Sequence, residues 1–154
     1  MTPKRDRLLF VCGAIAVLVA LGTACVAPAR SASAYEGKAA DSARSAVSAL
    51  RTAILAAQLG GNGRSFPPTV SVLLSEAEED ADATEAAFSS VQPPDPASDE
   101  LRAQLEPLLL RASKRLALLR IAARRAELSV LPSLAHPLAR LANKLDRFAQ
   151  EHAT

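Results

Sequence analysis

The sequence predicts an all-α protein: an N-terminal membrane or signal helix, then an antiparallel up-down-up-down four-helix bundle. Three observations carry that expectation. Apolar residues make up 49% of the 154, yet only 3% are aromatic. Ala and Leu dominate the apolar share and favour helix, whereas the Val, Ile and aromatic residues that suit sheets are sparse. The second observation is a run without formal charge from Leu8 to Ala29. Beyond it, four stretches repeat apolar residues at steps of three and four, separated by glycine or proline clusters.

The charge-free run comes first. As a helix it spans about 30 Å, the thickness of a bilayer core. Lys4, Arg5 and Arg7 precede it and Arg30 follows, so the N-terminus is expected in the cytoplasm and the remainder across the membrane. Three fates fit residues 1–29. The run can remain as an anchor, with the membrane as partner through residues 8–29. It can be a secretory signal, cut after Ala34 at Ala32-Ser33-Ala34 and leaving a secreted protein. Or Cys25 carries a lipid: Leu21-Gly22-Thr23-Ala24-Cys25 resembles the lipobox of bacterial lipoproteins, with Gly22 where Leu is usual. Cys12 is a small apolar member of the run. No cysteine follows Cys25, so no disulfide braces the domain beyond it.

Residues 30–34 read as a short tether, and 35–154 as the bundle. The first helix, about 36–59, places Ala40, Ala43, Val47, Leu50, Ile54 and Ala57 on one stripe. Gly60-Gly61-Asn62-Gly63 closes it, because Gly and Asn tolerate the left-handed exit conformation. The cluster lacks the Walker spacing of a phosphate cradle. Ser65 and Pro67-Pro68 open the second helix, about 67–91, with Val70, Leu74, Ala77, Ala81, Thr84, Phe88 and Val91 in register. Gln92 to Pro96 ends it. Ser98 is the expected N-cap of the third helix, about 98–128, striped by Leu105, Leu109, Ala112, Leu116, Leu119, Ala123 and Ala126. The fourth, about 132–152, aligns Leu134, Leu138, Leu141, Leu145 and Phe148. Pro107 is expected to kink its helix, and Pro137 to mark a second irregularity.

Charge narrows the functional classes. Beyond Arg30 the chain holds 14 basic and 15 acidic residues, so no net positive field draws nucleic acid. The second helix is acidic, through Glu76, Glu78, Glu79, Asp80, Asp82 and Glu85. The third is basic, through Arg111, Lys114, Arg115, Arg120, Arg124 and Arg125. Glu76, Glu79 and Asp80 have the spacing to share a face and are the weak candidates for a divalent cation. The competing and favoured expectation is that the two charged faces neutralise each other across adjacent helices. The basic helix also has the composition of a helix lying on an anionic membrane.

Catalytic signatures are missing. Neither His136 nor His152 has the glutamate three residues earlier that di-iron bundles use. No Cys-x-x-Cys, His-Glu-x-x-His or Gly-x-Ser-x-Gly occurs. No catalytic residue, cofactor or enzymatic activity is therefore expected. Tyr35-Glu36-Gly37-Lys38-Ala39-Ala40, Glu76-Ala77-Glu78-Glu79-Asp80 and Ile121-Ala122-Ala123-Arg124-Arg125, with 14 Arg against 4 Lys, resemble the uncharacterised exported helical proteins of high-GC bacteria. The expected role is a membrane-tethered, extracytoplasmic bundle with a structural or protein-interaction function in the cell envelope. The rival expectation is an exported protein binding a small molecule or divalent cation.

Overall fold

Helix-favouring composition and punctuated stripes resolve into four helices in a computed structural model that describes residues 31–153. The run Leu8–Ala29, with Cys25 and Cys12, lies outside the described residues. The helices are α1 (Ala32–Gly61), α2 (Pro67–Ser89), α3 (Pro96–Arg124) and α4 (Leu131–Glu151). A single 3-10 turn, Leu128–Val130, precedes α4, and no strand occurs among the described residues. No helix among them is long and apolar enough to cross a membrane.

Contacts fix the direction of each helix. The first turn of α1 meets the end of α4 through Glu36 and His152, and the end of α1 meets the start of α4 at Gly61 and Pro132. Ser89 at the end of α2 faces Glu106 early in α3, while Glu78 faces Arg120 late in α3. Sequential helices therefore run antiparallel. α1 touches all three others, including α3, whereas α2 and α4 barely meet. The cross-section is a rhombus with α1 and α3 on the short diagonal.

That arrangement explains the width of the buried face of α1. Beyond the expected stripe, Ala39, Ala46, Ala49, Ala53 and Ala56 are also buried, because a helix packed on three sides needs more than one apolar stripe. Alanine keeps the axes close at these positions. Val70, Leu74, Ala77, Ala81 and Phe88 from α2 complete the core with the leucines of α3 and α4. Leu131, Ala135 and Ala142 join the α4 stripe. Helices α3 and α4 continue through Pro107 and Pro137.

Several boundaries differ from expectation. Ala32 to Ala34 belong to the first turn of α1 rather than to a tether. Ser31 caps that turn, its hydroxyl accepting from the Ala34 N–H at 3.2 Å. α2 starts at Pro67 as expected, with Phe66 at the N-cap position and no side-chain bond there, and ends at Ser89 rather than at 91. Ser98 is not the cap of α3: Asp95 is, its carboxylate accepting from the Ser98 N–H at 2.8 Å. Pro96 then occupies the first helical position, where its missing N–H leaves nothing unpaired.

The third helix also ends sooner than expected. Ala126 leaves the stripe, exposed and at φ 58°. Its N–H reaches Ala123 O and the Glu127 N–H reaches Ala122 O, the double bond of a Schellman ending. Gly63, at φ 65°, ends α1 in the same way, with its N–H on Gly60 O and the Arg64 N–H on Leu59 O. Glycine fills this position without strain, whereas alanine does not. Ala126→Gly is therefore expected to stabilise the protein by about 0.5–1 kcal/mol. Chemical denaturation checks it, and a lower midpoint would contradict it.

Candidate functional site

The acidic helix and its basic neighbour are the sharpest chemical feature of the sequence, and packing sorts their charges. Glu78 and Arg120 each follow a core residue, Ala77 and Leu119, and so flank the seam between α2 and α3. They form a two-pronged ion pair, with Arg120 Nε and Nη2 donating to the two oxygens of Glu78. Both side chains are largely shielded from solvent, and the bonded Glu78 carboxylate raises the Arg120 guanidinium above its ordinary value.

A second cluster sits one end further along that seam. The Ser89 hydroxyl lies 3.1 Å from both Glu85 Oε1 and Glu106 Oε1. Arg102 Nη2 donates to the Ser89 carbonyl at 2.9 Å and reaches Glu106 at 3.4 Å. One guanidinium thus closes the C-terminal turn of α2 and offsets the Glu106 carboxylate.

Glu76, Glu79 and Asp80 take no part in this. All three are exposed, and Asp80 borders the α1 side of α2 rather than the α3 side. Among the described residues no three His, Cys, Asp or Glu side chains gather as a metal ion requires. Cross-helix pairing therefore runs through Glu78. Glu78→Gln is expected to cost about 1–2 kcal/mol, because Arg120 loses a charge-assisted partner in a half-buried seam. Glu79→Gln should stay within about 0.5 kcal/mol. Equal melting shifts for the two variants would refute this assignment.

Between α1 and α2 runs an open groove of about 480 Å³, lined by Lys38, Asp41, Ser45, Ser48 and Thr52 opposite Asp80, Ala83, Thr84 and Ala87. Ser42 is buried in its wall. Thr84 spends its hydroxyl on the Asp80 carbonyl, 2.7 Å away. Hydroxyls and separated charges can hold water or a polar surface, but no histidine lines the groove to activate a hydroxyl as a nucleophile.

The histidines are placed differently from each other. His136 is exposed. His152 is half-buried: its Nδ1 lies 3.0 Å from Glu36 Oε1 and its ring 4.6 Å from that of Phe148. This contact fastens the end of α4 to the first turn of α1. At the opposite end of the bundle Phe66 is 80% exposed beside Arg64 and Leu128.

The cleavage candidate Ala34 lies in the same first turn, immediately before the buried Tyr35. Peptidases act on accessible, irregular chain, so a cut there belongs before folding. It would also remove the Ser31 cap and leave a positive α-amino group at the helix start. A chain beginning at Tyr35 is expected to be about 1 kcal/mol less stable than one beginning at Ser31. Equal denaturation midpoints would refute that.

Fold and surface together define an all-α, four-helix protein with an ion pair and a hydrogen-bond cluster along the α2–α3 seam. No protein-family model matches the chain, and no curated protein or solved structure is found to be similar to it.

Proposed function

We propose that this chain is a membrane-tethered, extracytoplasmic four-helix bundle that acts by contact within the cell envelope rather than by catalysis. The observation that carries this reading is the run Leu8–Ala29, with Lys4, Arg5 and Arg7 before it. The domain supports it from the other side, since α1 begins at Ala32, two residues after Arg30. Its fully buried large side chains are all apolar or aromatic, as suits a scaffold that presents surfaces. The rival cation site gains no support from Glu76, Glu79 and Asp80, which the fold leaves dispersed on an exposed face.

The mass of the native protein, measured with its cell fraction, tests this. An intact chain in the membrane identifies an anchor. Loss of residues 1–24 with a diacylglycerol on Cys25 identifies a lipoprotein, and loss of 1–34 a secreted domain. The last outcome keeps export and overturns the tether. An intact chain in the cytosolic fraction overturns the whole reading.

A further inference from the structure

Helix α3 has two apolar stripes, and the bundle uses only one. Leu105, Leu109, Leu116 and Leu119 are buried in the core. On the opposite face Leu110, Leu118 and Ile121 remain 45%, 48% and 38% exposed. At 100° per residue these three share the outward face with Arg111, Lys114 and Arg125, all exposed. From Pro107 to Ala126 the chain contains six basic residues and no acidic one. Among the described residues only Arg120 of those six is ion-paired.

We propose that this outward face of α3 docks on an anionic lipid bilayer. An acidic or mixed face would be repelled or solvated there, whereas this one matches a negative surface in sign along four turns. The interleaving favours lipid over a protein partner. Apolar groups spaced singly between long cationic side chains can sink into a headgroup layer while the charges reach up to phosphates. A protein hot spot instead gathers its apolar anchors in one central patch.

The inference rests on the tethered reading for bringing the bilayer within reach of the domain.

The chain contains no tryptophan, which allows a single-site test on the full chain. Leu118→Trp places the probe on the α3 face; Leu55→Trp places it on the exposed side of α1, away from α3. Each variant is reconstituted in nanodiscs of phosphatidylcholine alone, or with phosphatidylglycerol, and probed with brominated lipid. The expected result is a blue shift and quenching at position 118 in the anionic discs only, with position 55 unaffected by composition. Adding Arg111→Glu, Lys114→Glu and Arg115→Glu should abolish the difference and leave the thermal melt unchanged. No quenching at 118 in anionic discs overturns the proposal, as does quenching that survives charge reversal. A concentration-dependent shift at 118 without lipid also overturns it, assigning the face to a second copy. Retention in the neutral discs reports the tether separately, so a retained protein with an unquenched probe retires the α3 surface alone.

Discussion

Tyr35→Ala is expected to lower the stability of the bundle by about 3–5 kcal/mol, the usual cost of emptying an aromatic site in a core. Tyr35 is fully buried, and its ring stands 5.6 Å from that of Phe88 at 47°. It joins the first turn of α1 to the last turn of α2, so its loss opens that end of the bundle. Tyr35→Phe should behave oppositely. The phenol oxygen is buried without a hydrogen-bond partner, and removing an unsatisfied polar atom is neutral or stabilising by about 1 kcal/mol. Denaturation followed by circular dichroism distinguishes the pair. A Phe variant as unstable as the Ala variant would show that the hydroxyl has an essential partner.

The same side chain sets an alkaline limit. Burial raises the Tyr35 phenol above its ordinary 10.0, Glu106 and Asp99 push the same way, and Arg102 opposes them. Below pH 10 the phenol is neutral in folded and unfolded chains alike, and its contribution is fully present. As pH rises past 10 the unfolded chain ionises first, so stability falls until the folded value is passed. Tyr35 is the only tyrosine, so tyrosinate absorbance reads this group directly. Ionisation at the ordinary value, with the helices still folded, would contradict the raised direction.

How far the sequence foretold this molecule depends on the type of residue asked. Leucine stripes were legible, because Leu138, Leu141 and Leu145 contrast sharply with the charges around them. Alanine was not: Ala46, Ala53 and Ala56 are buried because α1 is packed on three sides, a fact of packing that local periodicity does not contain. Proline carried two meanings. In the segment ending at Pro96 it read as a terminator, yet Pro96 is the first residue of α3, and only the geometry of Asp95 separates those roles. Ala126 continued its stripe in sequence but lies beyond the Schellman ending of its helix.

The charged seam was half legible for a similar reason. Composition matched an acidic helix to a basic one, and Glu78 does pair with Arg120 across that seam. Choosing Glu78 over Glu79 needs the rotation of α2 about its axis, since neighbouring residues are 100° apart on a helix. The position just after a core residue is the available signal, and Glu78, Glu106 and Arg120 all occupy it. Such positions border a packed neighbour, so their long side chains can reach across. Glu79, two places past Ala77, points away.

Gly61→Ala is expected to cost about 1–3 kcal/mol, as overpacking of a tight contact does. The cause is space rather than backbone conformation, which distinguishes Gly61 from Gly63. A Cβ on Gly61 would stand 2.6 Å from Cδ of Pro132 and closer still to its Cγ, with the Leu128 carbonyl oxygen at 3.3 Å. Neither neighbour yields easily. The proline ring is rigid and held within the first turn of α4, and the carbonyl belongs to the 3-10 turn that leads into it. The helices must therefore separate at this end of the most extensive helix pair in the bundle. Pro132→Ala should relieve the clash, so the double variant is expected to be more stable than the sum of the single changes by about 0.5–3 kcal/mol. Additive effects would mean that Gly61 is required for some reason other than its approach to Pro132. Coupling of the expected size would instead make this glycine the place where α1 and α4 lock together. In that case the far end of the bundle closes through backbone proximity, while the near end closes through the Tyr35 ring and the Glu36–His152 contact.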